Sequence, residues 1–159
     1  MFLNKRKIIF LISIFILVFI LTIDDIKSQE LKVVDGDTIH LNGEKIRFKG
    51  IDTPELKQIC IKDGSKNRCG ETAKQILINK IGENKVECIR EGIDQYQRTL
   101  AECFVNDESL SSYLVKSGYA FAYRKYSKKF INDENYARGE KIGMWSMKFE
   151  YPWDYRRNN

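Results

Sequence analysis

From residue 31 onward, polar and apolar positions alternate with the short period of β-structure. Leu31–Val34 is a brief apolar run stopped by the turn formers Asp35, Gly36 and Asp37. Thr38–Leu41 sets Ile39 and Leu41 on one face and ends at Asn42-Gly43, a dipeptide that closes two-residue hairpins. Glu44–Gly50 alternates again, with Ile46 and Phe48 on one side and Lys45, Arg47 and Lys49 on the other. Three strands joined by tight turns are predicted here. Beyond Asp52-Thr53-Pro54 the chain is expected to loop through a cysteine pair. The spacing of Ala73, Ile76, Leu77 and Ile81 then predicts a helix over Glu71–Ile81.

Lys85–Arg90 and Thr99–Val105 read as two further strands around a polar loop, Glu91–Arg98. A second helix starts at Ser109, a good N-cap, and stops at Gly118, where a terminating glycine belongs. A third covers roughly 132–142, followed by an aromatic tail with Trp145, Phe149, Tyr151 and Trp153. The expected class is α+β, mainly β: a five-stranded antiparallel OB-type barrel with two to three helices.

The first residues have a different pattern. Lys5, Arg6 and Lys7 precede an apolar run from Ile8 to Ile23 in which only Ser13 and Thr22 are polar. A positive cluster followed by an apolar stretch predicts a signal peptide or an N-terminal membrane anchor over residues 1–28, with Ser28 as the small residue behind the run. Either form leaves residues 29–159 outside the cytoplasm, whether periplasmic, secreted or anchored on the outer face. Membrane contact is expected only through residues 8–23, if they are not removed.

Cysteine usage agrees with export. Cys60, Cys69, Cys88 and Cys103 all lie in the expected folded part, and an even count in a small exported domain reads as disulfides. Of three possible connectivities, the short-range pairs Cys60–Cys69 and Cys88–Cys103 are expected. A zinc site would need closer cysteine spacing or more than the single histidine, His40.

Residues 29–159 carry 23 basic and 20 acidic residues, a net of +3, which permits an anionic partner without requiring one. The excess lies at Arg124, Lys125, Lys128, Lys129, Arg156 and Arg157, where a solvated surface explains it equally well. No protein partner is implied, and a monomer is expected.

One histidine and no Gly-x-Ser-x-Gly leave nucleophilic triads without their parts. What remains is carboxylates, arginines and tyrosines, concentrated in two places. The first is Asp35, Asp37, Arg47, Asp52, Thr53 and Glu55; the second runs from Asp94 to Arg98. If the strand bearing Arg47 pairs with the one starting at Thr38, Asp37 and Asp52 share one end of the hairpin. Two close carboxylates repel, so they tend to share a proton or hold a cation. Oxygen donors without nitrogen or sulfur favour calcium or magnesium. Arginine forks beside such a cation suit a phosphodiester.

The run Val34-Asp35-Gly36-Asp37-Thr38, then Arg47 to Asp52-Thr53-Pro54-Glu55, then Asp94-x-Tyr96-x-Arg98-x-Leu100-Ala101 resembles the staphylococcal-nuclease family. Leu114–Ala120 and Gly143–Ser146 are similar to its helical half, so the resemblance covers residues 31 to about 146. The four cysteines and the tail from Phe149 to Arg156 are closer to its exported bacterial branch. The resemblance implies an endonuclease that uses one calcium per chain, acts on DNA and RNA, and leaves 3′-phosphates. By position, Asp37 and Asp52 would bind calcium with help from the Thr53 carbonyl. Arg47 and Arg98 would hold the scissile phosphate, and Glu55 would act as general base. Tyr96, Tyr123 and Tyr126 would line the nucleotide pocket.

At two places the chain departs from the family pattern. Gln97 stands where a glycine is usual, and a positive φ there would strain the loop by roughly 1 kcal/mol or more. Gln95 replaces a lysine, which removes a secondary phosphate contact. The alternative function is a catalytically inactive OB-fold module that binds nucleic acid. A surface protein in which the acidic pair holds a structural calcium is a third reading.

Overall fold

The computed structural model describes residues 29–159. The leader expected over residues 1–28, including the apolar run at 8–23, lies outside the described residues. Among the described residues, no helix is long and apolar enough to cross a membrane.

The expected meander forms as β1 (Leu31–Val33), β2 (Thr38–Leu41) and β3 (Glu44–Phe48). Asn42 and Gly43 both take positive φ at the β2–β3 turn, which fixes the register so that Thr38 faces Arg47 and Ile39 faces Ile46. Next come β4 (Ile51–Asp52), β5 (Ile59–Lys62) and β6 (Ser65–Arg68), and then α1 (Cys69–Ile81). Strands β7 (Glu87–Ile93), β8 (Thr99–Val105) and β9 (Glu108–Ser109) lead into α2 (Leu110–Lys116). The chain ends with β10 (Phe121–Ala122), α3 (Ile131–Gly139), a 3-10 turn (Gly143–Ser146) and α4 (Pro152–Asn158).

The α+β class holds, but the sheet differs from the expected barrel in three ways. First, it is not wholly antiparallel. Strand β3 pairs with β8 in parallel, because the chain crosses over through α1 and β7 before β8 returns along β3. Second, the main sheet has six strands, in the order β1-β2-β3-β8-β7 with β9 on β8, beside two-stranded sheets β4–β10 and β5–β6. Third, no ladder joins β7 to β1, so the described strands do not close on themselves. Instead the Gln29 side chain exchanges two hydrogen bonds with the Val86 backbone, its Nε2 donating to the carbonyl (2.7 Å) and its Oε1 accepting from the amide (2.8 Å). A side-chain amide there satisfies backbone groups that a strand would otherwise pair.

Four α-helices are present among the described residues, one more than the upper expectation. The addition is α4, inside the stretch read as an aromatic tail. Pro152 in its first turn needs no amide partner, and Asp154 in the first turn with Arg156 and Arg157 in the last match the helix dipole.

The core between sheet and helices includes Ile39, Ile46, Phe48, Leu77, Ile81, Leu110 and Leu114, all buried. A second cluster holds Cys60, Cys69, Phe121 and Met144, with Trp145, Phe149, Tyr151 and Trp153 packed against it. Phe121 is its hub: those four rings lie 5.1 to 6.2 Å from it, centroid to centroid. Such pairs contribute roughly 0.5–1.5 kcal/mol each beyond area burial, so the tail is docked, not loose.

The disulfides pair as expected. Cys88 and Cys103 face each other across β7 and β8, and Cys60 on β5 joins Cys69 at the start of α1.

Candidate active site

The β2–β3 hairpin carries Asp37 just before β2 and Arg47 on β3, while Asp52 ends β4. Arg47 joins the two carboxylates. Its Nη2 donates to Asp52 Oδ1 at 2.7 Å, and its Nη1 pairs with Asp37 Oδ1. The expectation that both aspartates share one end of the hairpin is met, with a guanidinium between them.

Both carboxylates are buried, and protein donors hold them. Asp37 Oδ2 accepts from the Thr53 amide (2.9 Å) and from Thr53 Oγ1 (2.8 Å), while Oδ1 also accepts from Thr38 Oγ1 (3.2 Å). This close approach depends on Gly36: a Cβ there would stand 2.8 Å from Thr53 Oγ1 and 3.0 Å from Ala73 of α1.

Glu55 follows on a turn that Gln58 locks. The buried Gln58 accepts from the Glu55 amide through Oε1 (3.2 Å) and donates through Nε2 to the Glu150 carbonyl (2.6 Å). Gly70 lets α1 press on this turn, since a Cβ there would fall 1.9 Å from the Glu55 carbonyl oxygen.

Arg98 stands beside this group, on the turn between β7 and β8. Asp94 grips it: Oδ2 accepts from Nε (2.7 Å) and Oδ1 from the Arg98 amide (2.9 Å). Burial tends to raise the Asp94 pKa, but the bonds from Arg98 and from the Tyr96 amide outweigh it and hold it below the usual value. For Arg47, burial lowers the pKa, and the nearby Arg98 charge adds to the effect against the pull of Asp52 and Asp35. The two guanidinium groups are close enough to repel, but each is paired with acid, Arg47 with Asp37 and Asp52 and Arg98 with Asp94. The turn that presents Arg98 contains Gln97 at φ 61°, so the conformation that favours glycine is present with a side chain in it.

The tyrosines divide. Tyr96 is exposed and lies beside Arg98, whose guanidinium carbon is 5.5 Å from its ring centre. Tyr123 meets Tyr126 edge to face at 4.8 Å and stacks with Trp153 at 5.7 Å, nearly parallel. Tyr123 lines a cavity of about 600 Å³; Tyr96 and Tyr126 do not.

Arg156 is a residue that sequence reasoning did not assign to the site. It donates to Asp52 through Nη1 (3.2 Å) and Nη2 (2.7 Å), and to Glu55 Oε1 through Nη1 (2.8 Å). Burial opposes its charge, but the bonds to Asp52 and Glu55 prevail and raise its pKa. The signal that could have found it is the helical spacing of Trp153, Arg156 and Arg157 after Pro152, which sets an aromatic and two cations on one face.

The two carboxylates, Asp37 and Asp52, suit a hard dication in kind, with no imidazole or thiolate in the group. Among the described residues, no three His, Cys, Asp or Glu side chains gather around one point. A cation here would therefore complete its shell with water, and it would have to draw Asp52 away from Arg156.

A profile of the family described as Staphylococcal nuclease homologue matches residues 45–147. That span holds Arg47, Asp52, Glu55 and Arg98, while Asp37 precedes it and α4 follows it. Protein ParB of Escherichia coli is 28% identical over 153 residues, covering 85% of this chain and 81% of that protein. Micrococcal nuclease of Shigella flexneri is 28% identical over 151 residues, covering 84% and 82%. An uncharacterized endonuclease of Haemophilus influenzae is 30% identical over 123 residues, covering 73% of this chain and 64% of that protein.

Proposed function

The chain belongs to the staphylococcal nuclease family, and from that premise we propose that it is an exported, calcium-dependent endonuclease of DNA and RNA that leaves 3′-phosphates. The observation that carries this reading is the convergence of Asp37, Asp52, Arg47 and Glu55 at one end of the hairpin, with Arg98 beside them. The names of the Shigella and Haemophilus relatives, a nuclease and an endonuclease, support the reaction class.

Asp37, Asp52 and the Thr53 carbonyl are the calcium ligands in this account, one ion per chain. Calcium would supply positive charge to oxygens of the scissile phosphate. Arg47 and Arg98 grip that phosphate and oppose the charge that grows on it. Glu55, partly exposed, orients a water and takes its proton. The water oxygen bonds to phosphorus, the bond to the 5′ oxygen breaks, and the phosphate stays on the 3′ side.

Residues 29–159 form the nuclease domain in this reading, and residues 1–28 act as signal peptide or anchor. The two disulfides support an oxidising compartment.

One observation favours the inactive binding module instead. Every carboxylate oxygen of Asp37 and Asp52 already faces a protein donor. Glu55→Gln separates the two readings. The nuclease loses most of its cleavage of single-stranded DNA while its melting temperature holds, whereas a binding module never cuts and keeps its affinity.

A further inference from the structure

The turn that carries Glu55 has one inward anchor. Between Pro54 and Cys60 the chain buries Gln58 alone, while Leu56 and Ile59 on the same stretch stand 37% and 40% exposed. An amide inside with two aliphatic side chains outside reverses the usual preference, and burying an unpaired amide is costly. Each polar group of Gln58 has a partner. Its backbone amide donates to the Glu55 carbonyl (2.7 Å) and its Oε1 accepts from the Glu55 amide (3.2 Å), so one residue holds Glu55 by both main-chain groups. Its own carbonyl accepts from the amide of Cys69, the first residue of α1 (3.1 Å), and its Nε2 donates to the Glu150 carbonyl (2.6 Å).

Glu150 is fixed in turn. Lys148 exchanges two main-chain hydrogen bonds with Ile61 of β5 (2.8 and 2.9 Å). Phe149 and Tyr151, on either side of Glu150, pack on Phe121 with ring centroids 5.2 and 5.1 Å away. Phe121 is also the ladder partner of Asp52. The hub that seats the aromatic tail thus adjoins Asp52 in the sheet and supports Glu55 through Glu150 and Gln58. A side-chain amide both accepts and donates, as this link requires, whereas a carboxylate only accepts and an apolar side chain does neither.

We infer that Gln58 is a positioning residue for the cleavage reaction. Tied to the docked tail at Glu150, it fixes the backbone from which the Glu55 carboxylate reaches the attacking water. The inference rests on the role of general base proposed above for Glu55 and adds to it the residue that aims that base. A base must stay within hydrogen-bond reach of the proton it takes, and a misplacement of about 1 Å can cost about a hundredfold in rate. Arg156 reaches the carboxylate from α4 but is shared with Asp52, whereas Gln58 serves the Glu55 main chain.

The test is a double-mutant cycle between Gln58 and Glu55, read in cleavage of single-stranded DNA with calcium and in melting temperature. Gln58→Met keeps the length of the side chain and removes both of its hydrogen bonds. The expected result is a kcat lowered about tenfold to a hundredfold with the KM for DNA within about twofold, because Arg47 and Arg98 still hold the phosphate. In the Glu55→Gln background, the same change should lower the residual rate by less than about twofold, while its effect on melting temperature is the same in both backgrounds. Hydrogen exchange at the Glu55 amide should be faster in Gln58→Met than in the wild type. If Gln58→Met does not fold, Gln58→Asn, which retains the amide one methylene shorter, takes its place in the same cycle. An equal proportional loss of rate in both backgrounds, or an unchanged kcat in the folded variant, would overturn the inference and leave the nuclease reading standing. A wild type that cuts nothing with any divalent cation would remove the nuclease reading, and this inference with it.

Discussion

Arg156 holds Asp52 with both prongs of its guanidinium, although 104 residues separate them in the chain. Asp52 is fully buried, and among the described residues its two oxygens have only Arg47 and Arg156 as side-chain partners. Arg156→Gln therefore removes half the counter-charge of a buried carboxylate. Arg156 is 40% exposed, so the loss is moderated by water: about 1–3 kcal/mol in the calcium-free protein. Calcium then meets less competition, so the rise in melting temperature on adding calcium should be larger in the variant than in the wild type. Equal rises would mean that Arg156 does not contend with the cation.

Gln97 bears its side chain at a positive φ on the turn that presents Arg98. Gln97→Gly should relieve roughly 1–2 kcal/mol of strain, against roughly 0.5–1 kcal/mol of added unfolded-state entropy. The net gain lies between about 0 and about 1.5 kcal/mol, read as a higher denaturant midpoint with an unchanged slope. A lower midpoint would show that the turn is at ease with glutamine.

Acid should loosen two contacts. Glu44 lies below its ordinary pKa chiefly through the hydrogen bond from Arg90, then that from Thr99. Asp94 is also lowered, through the Arg98 bonds that outweigh its burial. A depressed folded-state pKa gives stability that is complete above the unfolded value, about 4, and lost as pH falls through the folded one. Stability should hold from neutral pH down to about 4 and fall below it. In Asp94→Asn, part of that acid dependence should be missing in melts recorded along a pH series.

The Cys88–Cys103 bridge closes a span of 15 residues across adjacent strands. Replacing both cysteines with alanine should cost about 3 kcal/mol through the freed unfolded chain. The check is the urea midpoint of the variant against the oxidised wild type.

The hairpin was legible because its cues are local. Asn42-Gly43 and the alternation around Ile46 and Phe48 set the register that brings Thr38 opposite Arg47. Arg47, Asp52 and Glu55 follow from it within a few residues. The parallel pairing of β3 with β8 left no such mark, because periodicity reports which face is buried but not which distant strand lies alongside. The β5–β6 pair was hidden too, since Ser65, Lys66, Asn67 and Arg68 are polar and lack an alternating pattern. In the sequence, Arg156 reads as one of a cluster of surface charges and as the end of the Phe149–Arg156 tail, with nothing to link it to Asp52. Its contact with Asp52 depends on the aromatic tail docking on Phe121, the ladder partner of Asp52, and composition gives no sign of that packing.

The most direct test of the central claim is cleavage of single-stranded DNA by the purified protein, with calcium and then with excess chelator. The account predicts cutting only with calcium, 3′-phosphate ends, and a loss of a hundredfold or more in Arg98→Ala, on the order of a lost charge-stabilising donor. A folded, disulfide-bonded protein that leaves the DNA intact under every divalent cation tried would contradict it.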